Sequence, residues 1–195
     1  MDSTQNALGE NEFDPEIQSF FRDCSKQLDT CHDRHERLVK LSRDITIESK
    51  RVIFLLHRIQ DKASAKKLTD EAETKLQLVI TNSWSTVARE LEGNDPHHFL
   101  KAYSPGMQEY IEAKSFLHYI KNEELITLDE LQKELEFPDG SRVPIPVHEY
   151  LLGICDLTGE LMRMCINAVG RGQSDTVTRT CMSLRNLHQA LSSLK

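Results

Sequence analysis

The fold is decided by one uninterrupted stretch of the chain, HDRHERLVKLSRDITIESKRVIFLLHRI at residues 32–59. No glycine or proline interrupts the chain from Glu16 to the end of this stretch. Its apolar side chains recur every three or four residues, which is the spacing of one helix face. The positions are Leu38, Leu41, Ile45, Val52, Leu55, Leu56 and Ile59. The stretch therefore predicts one long helix, or two that abut.

The sequence on the C-terminal side of this stretch also predicts helices and no strand. The same periodicity predicts helices at residues 69–91, 105–122, 147–169 and 174–194, with a short one after a capping box of Thr127 and Glu130. The helix at 69–91 is expected to begin at Thr69. Ser104-Pro105 is expected to end a short helical stretch, because a residue before proline avoids the helical region. We expect an all-α fold, a bundle of long antiparallel helices.

The length of the chain indicates one domain, and its charge limits the classes of function. The 195 residues carry a formal net charge of −7, which argues against a protein that coats nucleic acid by neutralising phosphates. Residues 1–14 are expected to be a disordered acidic lead-in, and residues 15–195 a single helical domain. The chain has neither an apolar run of membrane-spanning length nor the basic, then apolar start of a signal peptide, so no membrane contact is expected.

The cysteines and histidines give no metal or disulfide signature. The five cysteines form no CxxC pair, so reduced thiols are expected, with Cys155 and Cys165 in the core. Five histidines lack ligand spacing and are expected on the surface or at caps: His32, His35, His57, His97 and His98. Trp84 is expected to pack in the core.

Two pairs of carboxylates are the candidate groups for a functional site. On the predicted helix 105–122, Glu109 and Glu112 share an arc with apolar residues. The predicted helix 147–169 is apolar nearly all round, so most of it is expected to be buried. Its charged residues fall on one narrow polar stripe, which holds Glu149, Asp156, Glu160, Arg163 and the uncharged Asn167. Buried carboxylates are costly unless they face a cation, water or a partner charge.

Acid pairs on two packed helices can supply oxygen ligands to Mg²⁺ or Mn²⁺ and hold a hydrolytic water. The alternative from spacing alone is structural: the glutamate pair is a solvated face, and Asp156 or Glu160 pairs with Arg163. The run from Arg34 to Arg58 is basic, and it leaves two similar alternatives, a weak nucleic-acid track or a solvated face. Its candidate contacts are Arg34, Arg37, Lys40 and Arg43.

Three segments together resemble a known family. They are residues 32–59, SPGMQEYIEAKSFLHYI at 104–120 and PVHEYLLGICDLTGELMRMCIN at 146–167. They closely resemble the translin family, in particular its translin-associated factor X members, and the likeness covers roughly residues 18–172. The resemblance implies a helical subunit that assembles with translin into a hollow oligomer. That oligomer is the Mg²⁺-dependent endoribonuclease called component 3 promoter of the RNA-induced silencing complex.

The resemblance also implies an active site and a substrate. The family motifs QEYxEA and DLTGE place the catalytic acids at Glu109, Glu112 and Asp156, and add Glu160 to the metal ligands. Mg²⁺ is the implied cofactor, with Mn²⁺ as a substitute. RNA is implied to be held mainly by the assembled complex, as passenger strands of small duplexes or fragments of tRNA precursors, in the cytoplasm and also the nucleus.

The sequence departs from the family at both ends. The basic nuclear-targeting stretch is not seen before the first helix, and the C-terminal helices look shortened and divergent after Gly172. Three functions therefore stay open. The chain is the catalytic subunit of a translin-containing RNase, a non-catalytic protein that binds and stabilises translin, or a free single-strand-binding protein that uses residues 32–60. The quartet of acids favours the first function, and the shortened end favours the second.

Overall fold

The computed structural model describes residues 14–193, and within them every regular element is a helix. The prediction of an all-α bundle is confirmed. The helices are α1 (Pro15–Leu56), α2 (Lys62–Leu78), a π-helix (Val79–Trp84), α3 (Ser85–Leu91), α4 (Pro96–Asn122), α5 (Leu128–Glu134), α6 (Val147–Gly170) and α7 (Ser174–Ser192). The expected lead-in lies outside the described residues except for Asp14, whose carboxylate caps α1 by accepting from the Glu16 N–H at 3.0 Å.

The direction of each helix follows from its cross-helix contacts. The rod formed by α2, the π-helix and α3 is antiparallel to α1 and α4, since its start lies near the end of α4 and its end near the middle of α1. α7 folds back against α6 after the turn at Gly172, which has a φ of +69°. The rod is therefore antiparallel to the helices before and after it, and α7 is antiparallel to α6.

α1, α4 and α6 run parallel to one another, so the expected antiparallel arrangement is wrong for these three helices. Lys50 contacts Glu109, and two turns further on His57 lies against Phe116, so α1 and α4 ascend together. Successive residues of α6 likewise contact successive residues of α4. Parallel neighbours arise because α2 and α3 return the chain before α4, and α5 with the loop after it returns the chain before α6.

Two glycines set the spacing of these three helices. A Cβ on Gly106 would lie 2.7 Å from the carbonyl oxygen of Ser42 on α1, and a Cβ on Gly153 would lie 2.6 Å from Cγ2 of Ile111 on α4. Side chains at these positions would push the helices apart. The close approach brings residues on α1, α4 and α6 within reach of one another.

The expected break at Ser104-Pro105 is wrong, because α4 continues through Pro105. Proline removes one intrahelical donor and disfavours the preceding helical residue, yet this turn is held from outside. The hydroxyl of Ser42 accepts from the Gly106 N–H at 2.9 Å. Packing on α1 therefore overrides the local preference.

The expected helix start at Thr69 is also wrong. The helix begins at Lys62 behind a capping box, in which Asp61 accepts from the Ser64 N–H at 2.7 Å and the Ser64 hydroxyl accepts from the Asp61 N–H at 3.2 Å. Thr69 is buried inside α2.

Trp84 is fully buried at the end of the π-helix, as expected, and its ring packs against Tyr110. A π turn inside a helix is rare and absorbs an extra residue.

The expected burial of most of α6 is wrong for its outer face. Four large apolar side chains there are between 47% and 71% exposed: Leu152, Met162, Ile166 and Val169.

The expected burial of two cysteines is also wrong. Cys155 is exposed and Cys165 is half-buried, so neither is a core residue. No helix within residues 14–193 is long and apolar enough to cross a membrane.

Candidate active site

The four predicted acids converge where α1, α4 and α6 run side by side. Glu109 and Glu112 come from α4, and Asp156 and Glu160 from α6. The other three carboxylates all act electrostatically on Glu112, which is only 9% exposed. The i,i+3 and i,i+4 spacings turn each pair toward the same side of its helix, and the parallel packing brings the two pairs together.

The crowding raises the pKa of Glu112. Burial is the largest cause, followed by repulsion from Glu109, Glu160 and Asp156, and together they raise the pKa of Glu112 from 4.5 to about 7. Lys50 partly offsets this rise. A carboxyl that titrates near neutrality can hold or release a proton at physiological pH.

Lys50 supplies a positive charge to the cluster from α1. Its ammonium lies 2.8 Å from Oε1 of Glu109. The hydrogen bond to Glu109, with attraction to Glu112 and Asp156, raises the pKa of Lys50 above its usual value. The lysine is therefore charged and neutralises one of the carboxylates.

His57 contacts the end of the cluster opposite Lys50. Its Nε2 is hydrogen-bonded to Oε2 of Glu160, and its ring lies on Phe116 with the ring centroids 4.9 Å apart. Burial lowers the pKa of His57 more than Glu160 raises it, so the imidazole is neutral at pH 7 and donates its N–H to the carboxylate. Arg163 lies further off, with its Nη1 3.7 Å from the same oxygen. His57 is the C-cap residue of α1, as the expectation of a capping group allowed, but its side chain is buried against the site and does not lie on the surface.

The donor set fits a hard divalent cation by its chemistry, because carboxylate oxygens are the ligands that Mg²⁺ and Mn²⁺ prefer. Asp156 is exposed, and its carboxylate makes no hydrogen bond or ion pair with the rest of residues 14–193. Within the same residues, however, no three His, Cys, Asp or Glu side chains are arranged to hold a metal ion. Glu109 faces Lys50 and Glu160 faces His57 instead, so the metal site stays a prediction that requires these side chains to turn.

Glu149, which shares the polar stripe of α6 in the sequence, has a structural role. It is 4% exposed. Its carboxylate accepts from the Ser104 hydroxyl at 2.8 Å and from the Gln108 amide at 2.7 Å. This buried carboxylate fastens the start of α6 to α4 two turns before the candidate site.

The four predicted nucleic-acid contacts divide into two pairs. Arg37 makes a two-pronged bond to Glu90 at 2.7 and 3.0 Å, and Arg34 lies 3.8 Å from the same carboxylate. These two arginines link α1 to α3. Lys40 and Arg43 are exposed, and no hydrogen bond or ion pair within the described chain engages them. Only the second pair is free to meet phosphate.

Sequence reasoning missed Lys50 and His57 as members of the site. The available signal was their separation of seven residues, or two helical turns, which places both on one edge of α1. Using that signal requires knowing that α1 lies parallel to both acid-bearing helices. That arrangement depends on contacts between segments distant in sequence.

The geometry defines a class of protein: an all-helical bundle in which two parallel helices present four clustered carboxylates beside a third helix that carries basic groups. The Translin family profile matches residues 33–195, and the chain belongs to the translin family. It is 44% identical to translin-associated protein X of Rattus norvegicus over 88% of this chain and 66% of that protein.

Further relatives agree on the family and the fold. The translin-associated protein X homolog of Schizosaccharomyces pombe is 32% identical over 84% of this chain and 68% of its own length. The solved AfC3PO–duplex RNA complex superposes with a TM-score of 0.65 at 22% identity, covering 88% of this chain and 78% of that chain. The chain spans just under two thirds of the length of the Rattus protein.

Proposed function

We propose that this chain is the catalytic subunit of a metal-dependent endoribonuclease that assembles with translin. The observation that carries the proposal is the convergence of four carboxylates from α4 and α6 around the buried Glu112. Burial, followed by repulsion from the other three, raises the pKa of Glu112 to about 7. Such crowding is unfavourable without a cation, and folded proteins retain it mainly where the charges are used.

Glu109, Glu112, Asp156 and Glu160 would hold Mg²⁺, or Mn²⁺ in its place. When bound, the ion would polarise the phosphodiester and lower the pKa of a bound water. Lys50 pairs with Glu109 and His57 with Glu160, so these two carboxylates would have to turn from those partners to reach the ion. Glu112 is the group of the cluster suited to exchange a proton near neutral pH.

The charge distribution supports a division of labour with translin. The net charge is −7, and two of the four candidate phosphate contacts are engaged by Glu90. This leaves too few free cations for tight RNA binding at physiological salt. We therefore propose that translin supplies most of the RNA-binding surface. The proposed substrates are passenger strands and tRNA precursor fragments, and the proposed location is the cytoplasm and also the nucleus.

Support for RNA as the substrate comes from the fold. AfC3PO, whose fold this chain shares, has been solved with duplex RNA. The proposed chemistry, hydrolysis by clustered carboxylates and a divalent ion, suits a phosphodiester.

The test is cleavage of a labelled RNA by the chain purified with translin. Glu112→Gln and Asp156→Asn should each abolish cleavage while leaving assembly intact, because both keep the side-chain volume. Glu124→Gln alters an exposed acid outside the cluster and should cleave normally. A chelator should stop the reaction, and Mg²⁺ or Mn²⁺ should restore it. Cleavage that survives the chelator, or either substitution, would reject the proposal.

A second candidate is a non-catalytic partner that stabilises translin. It is favoured by the pairing of Glu109 with Lys50 and of Glu160 with His57, which leaves no formed metal site among residues 14–193. This candidate predicts stable assembly with translin and no cleavage by the unsubstituted complex at any Mg²⁺ concentration.

A further inference from the structure

Two cysteines from different helices lie side by side near the C-terminal end of the fold. The Sγ atoms of Cys165 on α6 and Cys181 on α7 are 3.5 Å apart. Cys165 is half-buried and Cys181 is exposed, and both are free thiols. A disulfide requires the sulfurs to close from this distance to about 2.05 Å.

The helix that carries Cys181 packs mainly on α6 and has few buried residues of its own. Of the residues of α7, only Thr180 and Leu187 are buried. Its attachments to α4 are an exposed ion pair of Arg179 with Glu123 at 3.1 Å and a hydrogen bond from the Tyr119 hydroxyl to Ser183. Exposed ion pairs contribute little to stability. A covalent link at this point would therefore change how firmly α7 is held.

We propose that Cys165 and Cys181 form a reversible disulfide that clamps α7 onto α6, with a low-molecular-weight disulfide such as oxidised glutathione as the oxidant. The exposed Cys181 thiolate attacks one sulfur of the small disulfide and releases one small thiol. The Cys165 thiolate then attacks the Cys181 sulfur and releases the second. Two protein thiols lose their protons and two electrons, one protein disulfide forms, and the small disulfide is reduced to two thiols.

The order of attack follows from the surroundings of the two thiols. Burial, followed by the hydrogen bond with Cys181, raises the pKa of Cys165, so less of its reactive thiolate is present at neutral pH. Attack on an external disulfide therefore falls to the exposed Cys181. Cys165 needs only to reach the neighbouring sulfur once the mixed disulfide has formed.

The clamp has a structural consequence beyond α7. A cavity of about 530 Å³ lies between the end of α1, the later parts of α4 and α6, and the start of α7. Its wall includes His57, just after α1, together with Arg179 and Thr180 of α7. Because α7 contributes part of this wall, the cavity keeps its shape only while α7 is seated. The inference does not depend on the proposed function.

The test uses the full chain, reduced and then exposed to oxidised glutathione. The expected product has lost two hydrogens and retains three thiols that react with maleimide, and a peptide digest joins Cys165 to Cys181. Oxidation should raise the midpoint of thermal unfolding by about 5 °C or more and slow tryptic cleavage at Arg179. Dithiothreitol should reverse both effects.

Matched variants separate the clamp from unspecific oxidation. Cys155→Ser removes an exposed thiol of the same helix and should behave like the natural chain. Cys165→Ser should stop at a glutathione adduct on Cys181 and gain neither heat stability nor protease resistance. Independent glutathione adducts on both cysteines of the natural chain would overturn the inference. A cross-link that leaves proteolysis and thermal unfolding unchanged would overturn it as well.

Discussion

Replacing Glu112 by glutamine should stabilise the metal-free protein at alkaline pH. The pKa of this carboxyl rises from 4.5 to about 7 on folding, chiefly through burial and then through repulsion from Glu109, Glu160 and Asp156. The folded state therefore binds the proton more tightly than the unfolded state. Stability falls as pH rises from 4.5 toward 7, and the full penalty applies above 7. Since one pKa unit corresponds to about 1.4 kcal/mol, the penalty is about 3 kcal/mol.

The assay is urea unfolding in the presence of a chelator, with the natural chain and Glu112→Gln compared at two pH values. We expect the glutamine variant to be more stable by about 3 kcal/mol near pH 8 and by less than about 1 kcal/mol near pH 5, where the natural carboxyl is largely protonated. Glu124→Gln should change stability at neither pH. No gain near pH 8, or the same gain at both values, would refute the idea that this carboxyl is held in an unfavourable charged state.

Other substitutions test the packing, the cap and the phosphate contacts. Gly153→Ala should destabilise the fold by about 1–3 kcal/mol in urea unfolding, because its Cβ would lie 2.6 Å from an isoleucine methyl of α4. The control is Gly159→Ala, whose Cβ would meet nothing within 4 Å, and this variant should not be destabilised. Thr127→Ala should cost about 1 kcal/mol in urea unfolding by removing the α5 cap, and an unchanged midpoint would contradict this. Lys40→Gln and Arg43→Gln should each weaken RNA binding by the translin complex and flatten its salt dependence, as measured by fluorescence anisotropy; an unchanged salt slope would remove these residues from the RNA path.

The sequence predicted those parts of the fold that depend on local signals. The Thr127 cap of α5 and the end of α6 near Gly170 are confirmed, because capping and the loss of helical conformation are settled within a few residues. The amphipathic spacing of Leu38, Ile45 and Val52 correctly gave the buried face of α1, where all three are fully buried. The site acids were placed correctly on their helices for the same reason.

The sequence did not predict what depends on contacts between helices. Pro105 looks like a break until Ser42 of α1 is seen to support the following turn. His57 looks like an isolated histidine until Glu160, more than a hundred residues away, is seen beside it. The outer face of α6, with Ile166 71% exposed, has the composition of a buried face, and composition alone does not show that no other helix of the described chain covers it.

The π-helix within the α2–α3 rod corrects a rotational error in the buried face. At about 100° per residue, an unbroken α-helix would turn Leu91 about 140° away from Leu68, onto a different side of the rod. The wide turn absorbs one extra residue, which brings Leu91 back to within about 40° of Leu68, and Val87 back in line with it. All three face the core. The rod can therefore lose one residue within this turn and keep its buried side. The loss of one residue from α2 would instead rotate the part of α2 before the deletion by about 100° relative to the rest of the rod.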